Sequence, residues 1–157
     1  MEELLRIRPV TIEDARTLFE WRNDEKTRRA SRTTAPLIWE EHVAWLEKVV
    51  HGIFPGRSLY IAEIDGNPVG TVRSDTRTDG FTEISYTVSP TWRAKGLGKH
   101  MVMQFVREHL AGKKLAARIK KGANPASEAI ARALGLAPTS ELPSEDQNDD
   151  RPMVEWR

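Results

Sequence analysis

The chain has 157 residues, no cysteine, and 24 lysines and arginines against 23 aspartates and glutamates, for a formal net charge of +1. This length suits one domain with a continuous core, so we expect a single domain over residues 1–157. The lack of cysteine excludes disulfides, thiolate nucleophiles and cysteine-ligated zinc, and the balanced charge argues against binding to nucleic acid or an anionic membrane.

The first third of the chain predicts a strand and two helices. Residues 4–10 are typical of a short strand interrupted by Pro9, and Thr11 is a candidate N-cap for a helix over 12–24. After a polar loop rich in Arg, Ser and Thr, apolar residues at helical spacing predict a second helix over 39–50.

The middle of the chain predicts a meander of three antiparallel strands over 58–65, 68–75 and 81–88. The Gly-Asn pair between the first two runs is typical of a tight hairpin turn, and a second turn, TRTDG, precedes the third run.

The remaining elements are predicted in the second half. An amphipathic helix over 96–110 is followed by a strand over 114–120 and a helix over 124–136. The acidic segment 141–150 is predicted to be a solvated connection, and residues 152–157 a last strand. The order β-α-α-β-β-β-α-β-α-β indicates an α/β (α+β) fold in which an antiparallel meander is followed by a strand–helix–strand crossover.

The segment SPTWRAKGLGKHM, residues 89–101, joins the third meander strand to the amphipathic helix and has the composition of an anion-binding loop. Pro90 ends the strand, while Gly96 and Gly98 permit positive φ and remove side chains from the place where a ligand must approach. Successive backbone N–H groups at a helix N-terminus can then converge on an anion, with positive charge added by Arg93, Lys95 and Lys99. The expected ligand is a pyrophosphate.

The spacing in this segment fits neither the P-loop nor the Rossmann turn. Instead, Val88-x-Pro90-x-x-Arg93-x-x-Gly96-x-Gly98 resembles the acetyl-coenzyme A signature of the GNAT superfamily of N-acetyltransferases. The later run NPASEAIARALGL, residues 124–136, is similar to a second segment of that superfamily, and the element order agrees over nearly the whole chain.

The resemblance implies a mixed, mainly antiparallel central sheet of six to seven strands, flanked by about four helices. It also implies acetyl-coenzyme A as co-substrate, with no metal. Asn124 would contact the pantetheine arm, although an N-cap role explains it equally well. The coenzyme-binding residues expected from the resemblance are Val88, Arg93, Ala94, Lys95, Gly96, Leu97, Gly98, Lys99 and Asn124.

The resemblance further implies direct attack of an amine on the thioester in a ternary complex, without a covalent enzyme intermediate. Glu83 is the first candidate for the base, against the alternative of a solvent-facing strand glutamate; His42 is a second candidate, or a packing residue. A backbone N–H near Val88 would polarise the thioester carbonyl. Many members protonate the leaving thiolate with a tyrosine where this chain has Ala131, so Ser127 or a water becomes the candidate.

The acceptor amine is expected to lie between the two N-terminal helices and the meander. The N-terminal half is similar both to enzymes that act on amino-sugar nucleotides and to those that act on ribosomal-protein N-termini, so both acceptor classes stay open. Tryptophans with an arginine would suit a sugar nucleotide, although Trp39 and Trp45 could instead anchor a helix. The expected acceptor-binding residues are Trp21, Arg22, Asn23, Trp39, His42, Arg73 and Tyr86.

Two other functions are compatible with the sequence. The absence of tyrosine at Ala131 allows a non-catalytic acyl-coenzyme A-binding module, and the basic run 26–32 allows an RNA-associated factor, against which the near-neutral charge argues. We expect a small-molecule amine or a protein N-terminus as partner, and the sequence allows a homodimer. Since the N-terminus has no apolar signal core and no apolar run approaches about 18 residues, we expect a cytoplasmic protein without a membrane partner.

Overall fold

The structure, a computed structural model that describes residues 4–157, is built around one sheet of seven strands in the order β1-β2-β3-β4-β5-β7-β6. Five α-helices and two 3-10 turns are found in the same residues. The strands are β1 (Leu5–Pro9), β2 (Arg57–Ile64), β3 (Asn67–Thr76), β4 (Thr82–Val88), β5 (Leu115–Lys120), β6 (Pro138–Leu142) and β7 (Met153–Trp156). The helices are α1 (Ala15–Asn23), α2 (Glu25–Ala30), α3 (Trp39–Val50), α4 (Leu97–His109) and α5 (Pro125–Ala133), and the 3-10 turns are Ile12–Asp14 and Pro90–Trp92.

The first four strands form the predicted antiparallel meander, extended by β1 at one edge. Asp65 and Gly66 make the two-residue turn between β2 and β3, with φ of 51° and 78°. Positive φ at both positions is what a tight hairpin of the right twist needs, so the turn lies one residue earlier than the sequence suggested.

Helices cover both faces of this sheet. On the α1/α3 face, Leu59 and Ile61 of β2 pack with Leu18 of α1 and Leu46 of α3. On the opposite face, called the α4/α5 face, the strands pack against α4 and α5. Phe105 of α4 is fully buried there, with Val69 and Val72 of β3 in the same core. Each such large apolar side chain contributes about 1.5–3 kcal/mol by leaving water.

Strands β4 and β5 run parallel but separate after two residues. Their only pairs in the described residues are Thr82 with Leu115 and Glu83 with Ala116, and β5 then continues beside β7. A gap therefore opens between the two strands beyond Glu83, in the middle of the sheet.

The predicted fold class is confirmed, with two corrections to the elements. Residues 25–30 were predicted as a polar loop, but Asp24 accepts a hydrogen bond from the Thr27 N–H (3.1 Å) and so caps the short helix α2. Strand β6 was missed because it is an edge strand that pairs only with β7 and is largely exposed, so its sequence lacks the apolar alternation of a half-buried strand. In residues 4–157, no helix has the length and apolar character needed to cross a membrane.

Candidate active site

The gap between β4 and β5 is the centre of a cavity of about 380 Å³. This volume lies in the range of small-molecule sites. The cavity wall takes residues from both faces of the sheet: Arg22, Trp45 and Arg73 from the α1/α3 face, and Ser127 and Ile130 from α5. The opening in the sheet therefore joins the two faces in one cavity.

The backbone of β4 directs unpaired groups into this gap. The Thr82 N–H donates to the Lys114 carbonyl (2.7 Å), just before β5, whereas the Ser89 N–H donates to the Val69 carbonyl of β3 (2.9 Å). Because backbone groups alternate along a strand, Tyr86 and Val88 share the direction of Thr82 and face β5. No β5 residue pairs with them, so within residues 4–157 their N–H groups are left available to a ligand in the gap.

The loop between β4 and α4 has the conformation of an anion-binding turn. Ala94 and Gly96 have φ of 61° and 75°, in the left-handed region, and α4 begins at the next residue, Leu97. A side chain at Gly96 would meet no atom within 4 Å, so the space above this turn is open. The backbone therefore presents the N-terminus of a 13-residue helix to that space.

Gly98 has a different role from the one expected, since its φ is not positive. It lies in the first turn of α4, where an added Cβ would come within 3.1 Å of the Tyr86 ring. Its missing side chain lets α4 approach β4 closely.

The cations of this loop differ in their partners. Arg93 is not a mobile charge: its Nη2 donates to the Asp24 carboxylate (2.6 Å) and to the Thr27 hydroxyl (2.7 Å), which joins the loop to the start of α2. Lys95 lies over the Trp92 ring and is exposed, as is Lys99. The two lysines are therefore the loop side chains that are available to an anion.

Glu83 lies in the cavity wall, with 14% of its side chain exposed. Its carboxylate is 3.2 Å from Arg77 and 3.5 Å from Arg118, two arginines that also bind Glu155. The alternative of a solvent-facing strand glutamate does not describe this residue, because it is shielded and ion-paired at the point where β4 and β5 separate.

Tyr86 and Ser127 form a hydroxyl pair on the α4/α5 face. Their oxygens are 3.0 Å apart, and the Ser127 N–H donates to the Asn124 side chain (3.1 Å), so Asn124 is the N-cap of α5. Burial raises the pKa of Tyr86, which keeps its hydroxyl protonated near neutral pH. The Tyr86 side chain packs on the α4/α5 face of the sheet. It therefore enters the cavity from the opposite face to Arg22 and Arg73, which were also expected to bind the acceptor.

Arg22 and Arg73 line the cavity from the α1/α3 face. The Arg22 guanidinium lies 4.3 Å from the centre of the Trp45 ring and donates to Nδ1 of His42 (3.4 Å). Burial, then the positive charges of Arg73 and Arg57, lower the pKa of Arg22 to about 10, which leaves it charged at neutral pH.

Four of the residues expected to bind the acceptor lie outside the cavity wall. Trp21 is buried in the core between α1, α3 and β2, and Asn23 accepts a hydrogen bond from the Leu37 N–H (2.9 Å). Trp39 packs edge-on against Phe19. His42 is buried, with Nε2 donating to the Ala15 carbonyl (2.9 Å), and burial lowers its pKa, so it is a neutral packing residue.

Several residues of the wall were missed by sequence reasoning. Trp45 was considered only as a helix anchor and Arg32 only as part of the basic run 26–32, whereas Thr33 and Arg118 carried no signal, since their places depend on loop and strand packing. Thr33 and Arg32 belong to a loop that is fastened at Thr34, whose N–H and hydroxyl both donate to Asp146 (2.9 and 2.8 Å). No group of three or more metal-ligating side chains is found in residues 4–157.

Comparison with known proteins identifies the family and the fold. Residues 5–137 match the family model described as "Acetyltransferase (GNAT) domain". The chain belongs to this family, so the predicted resemblance and the predicted acetyltransferase class are confirmed. Among curated proteins, none matches the sequence at a significant level.

Solved structures with the same fold include an N-acetyltransferase from Staphylococcus aureus Mu50, with 20% identity and a TM-score of 0.77 over 98% of this chain and 96% of that one. A ribosomal-protein-alanine N-acetyltransferase from Brucella melitensis has 24% identity and a TM-score of 0.77 over 96% and 97%. A ribosomal L7/L12 alpha-N-protein acetyltransferase in complex with coenzyme A has 12% identity and a TM-score of 0.74 over 97% and 92%. At these identities the likeness shows the fold alone.

Proposed function

We propose that the protein transfers an acetyl group from acetyl-coenzyme A to a primary amine by direct attack, with both substrates bound at once. The observation that carries this proposal is the gap beyond Glu83, which places Glu83 and the Tyr86–Ser127 pair in one cavity. A chain that holds the two substrates on opposite sides of such a gap needs no covalent intermediate. Because a single sheet carries both sides, we also propose that the chain is one domain.

In this proposal the loop between β4 and α4 binds the pyrophosphate of the coenzyme. The open space at Gly96 and the left-handed φ of Ala94 and Gly96 support this, because such a turn just before a helix N-terminus can bring successive N–H groups together on one anion. Lys95 and Lys99 add positive charge. Arg93 supports the loop through Asp24, and Asn124 lies where the pantetheine arm would pass.

Acetyl-coenzyme A supplies an activated acetyl thioester when it is bound. The free N–H groups of Tyr86 and Val88 lie in the gap and would polarise the acetyl carbonyl by hydrogen bonding. This requires no side chain, which is why the sequence of β4 carries little sign of it.

Glu83 is proposed as the base that accepts a proton from the acceptor ammonium, directly or through a water, so that the neutral amine can attack the thioester. It is the only carboxylate in the cavity wall among the described residues, and it lies at the end of the gap. Arg77 and Arg118 hold its carboxylate in place.

The Tyr86–Ser127 pair is proposed to protonate the leaving thiolate. Ala131, at the position where many members have a tyrosine, is buried in the same wall as Ser127. Tyr86 reaches this wall from β4, so a tyrosine hydroxyl is present there from a different element.

The acceptor is proposed to be an amino-sugar nucleotide or a related small amine, or a ribosomal-protein N-terminus. The arginine and tryptophan wall supports the first class, and the fold shared with ribosomal-protein N-acetyltransferases supports the second. No observation favours a non-catalytic coenzyme-binding module.

The test is Glu83→Gln, assayed by coenzyme A release with amino-sugar nucleotides, polyamines, aminoglycosides and Ala- or Ser-initiated peptides. Turnover should fall by about 10²–10⁴-fold, the usual contribution of a general base, while acetyl-coenzyme A binding measured by calorimetry stays unchanged. Glu63→Gln is the matched control, since Glu63 is another partly buried strand glutamate paired with an arginine (3.3 Å to Arg8) but lies outside the cavity wall. Normal turnover in Glu83→Gln would remove Glu83 from the mechanism, and failure of the wild type to bind acetyl-coenzyme A would contradict the proposed function.

A further inference from the structure

The α1/α3 side of the cavity holds more positive charge than the described residues neutralise. The wall contains four arginines, and Glu83 is its only carboxylate in residues 4–157. Glu83 is ion-paired with Arg77 and Arg118, on the side of β5 and β7, and forms no ion pair with the remaining wall arginines in the described residues. Those arginines are Arg22, Arg32 and Arg73.

Arg22 has no carboxylate partner in residues 4–157. Its contacts are the face of Trp45 and the unprotonated Nδ1 of His42, whose other nitrogen is fixed by the Ala15 carbonyl. These contacts fix the guanidinium in position without neutralising it. A half-buried cation of this kind costs free energy in the free protein, which an anionic ligand would recover.

Arg73 is only partly compensated. Its Nε is buried and lies 3.0 Å from Asp75 without forming a hydrogen bond, and Asp75 is shared with Arg57 (2.7 Å). Arg73 is directly opposite Ser85 on β4, and Glu83 is two positions further along the same strand face. The arginine and the proposed base are therefore diagonal neighbours on adjacent strands, about 7–8 Å apart.

We propose that the acceptor is a small amine that carries its own carboxylate or phosphate group, which Arg22 and Arg73 bind while the amine lies near Glu83. This inference rests on the proposed function and narrows its acceptor. Guanidinium groups bind carboxylate and phosphate through paired, charge-assisted hydrogen bonds. The same charges would repel polyamines and aminoglycosides.

The experiment compares amines that differ only in the anion, in coenzyme A release at saturating acetyl-coenzyme A. Alanine is compared with alaninamide for the carboxylate, and glucosamine 6-phosphate with glucosamine for the phosphate. The anionic member of at least one pair should have a kcat/KM about tenfold or more higher, and Arg22→Gln and Arg73→Gln should each reduce that ratio by about tenfold or more. Arg107→Gln, an exposed arginine on α4, is the matched control.

A binding measurement gives a readout that does not depend on turnover. Inorganic phosphate is titrated by calorimetry into the protein saturated with coenzyme A, so that the pyrophosphate loop is occupied. We expect binding that weakens about tenfold or more in either arginine variant and not in Arg107→Gln. Two separate variants, each checked for retained coenzyme A binding, guard against a folding defect in one of them.

The outcomes separate the two proposals. Equal transfer to both members of each pair, or phosphate binding that ignores both arginines, would overturn the anionic acceptor while the acetyltransferase proposal stands. A wild-type protein that fails to bind acetyl-coenzyme A would overturn both.

Discussion

The two sides of the gap are built in different ways. The proposed coenzyme side is a continuous stretch of backbone, residues 88–99, whose conformation is set by Pro90, Ala94 and Gly96. The proposed acceptor side is made of side chains from α1, α3 and β3, which meet only after folding. Backbone N–H groups can bind any anion that fits the loop, whereas arginine side chains held in fixed positions bind only a ligand that has an anionic group at the matching place. A common coenzyme therefore needs only a local motif, and a particular acceptor needs tertiary structure.

The largest effect should come from Gly96→Glu, which breaks the coenzyme side. The new carboxylate would enter the space in which the pyrophosphate is proposed to bind, and we expect the dissociation constant of coenzyme A to rise by about 100-fold or more. Calorimetric titration measures this.

Gly112→Glu is the control for Gly96→Glu. Gly112 also has a left-handed φ, 78° against 75° for Gly96, and an added Cβ there also meets no atom within 4 Å. A side chain at either left-handed position lowers the free energy of unfolding by about 1–2 kcal/mol, but only Gly96→Glu should lose coenzyme binding. Equal coenzyme affinity in the two variants would mean that the pyrophosphate does not bind at this loop.

A smaller effect is expected from Tyr86→Phe, which acts at the junction of the two sides. The variant keeps the ring between α4 and β4 and removes the hydroxyl that bonds Ser127, so turnover should fall about tenfold while coenzyme binding is unchanged. Single-turnover acetyl transfer measures this step.

The other tyrosine of the chain supplies the control for Tyr86→Phe. Tyr60 packs against Phe105, away from Ser127, and Tyr60→Phe should leave turnover unchanged. If Tyr86 and Ser127 act as a unit, the double variant Tyr86→Phe/Ser127→Ala should be hardly slower than either single variant. Normal transfer by Tyr86→Phe would assign the proton to another donor.

The smallest predicted effect is a pH dependence of the free energy of unfolding, which comes from His42 beneath the proposed acceptor side. Burial lowers the pKa of His42 below its usual value near 6.5, so as the pH falls below that value the unfolded chain binds a proton that the folded chain does not. The free energy of unfolding of the wild type should therefore decrease more between pH 7.5 and pH 5.5 than that of His42→Gln, as measured by urea denaturation. His51→Gln, at the exposed end of α3, is the control. If the free energy of unfolding changes equally with pH in the wild type and in His42→Gln, His42 is not held neutral beneath Arg22.

The sequence predicted the elements whose patterns are local. The meander was found from alternation and turn residues, α4 from its apolar stripe, and the start of α5 from Asn124, whose side chain does cap that helix. Strand β6 and helix α2 escaped because one is an exposed edge and the other is a short polar segment held by Asp24.

For the candidate site, the roles that the sequence assigned to the loop at Gly96 and to Glu83 stay predictions. The loop at Gly96 was singled out by the spacing of its glycines and proline, and Glu83 by its place on the polar face of the strand that leads to this loop and by the family resemblance. Trp21, Trp39 and His42 were expected at the acceptor on residue type alone, yet helix rotation directs them into the core or against Phe19. The partner of Arg93 was also unpredictable, since Asp24 lies 69 residues away.

The sequence by itself determined the family, the order of the strands and helices apart from α2 and β6, and the places of Pro90 and Gly96 in the proposed anion-binding loop, because proline fixes φ at its own position and glycine allows the left-handed region. Only the tertiary structure decided which side chains face the gap between β4 and β5. It brings Arg22, Arg73 and Trp45 together, pairs Tyr86 with Ser127, and moves His42 out of the cavity. These are long-range contacts, and their geometry depends on how helices pack on the sheet rather than on any local pattern of residues.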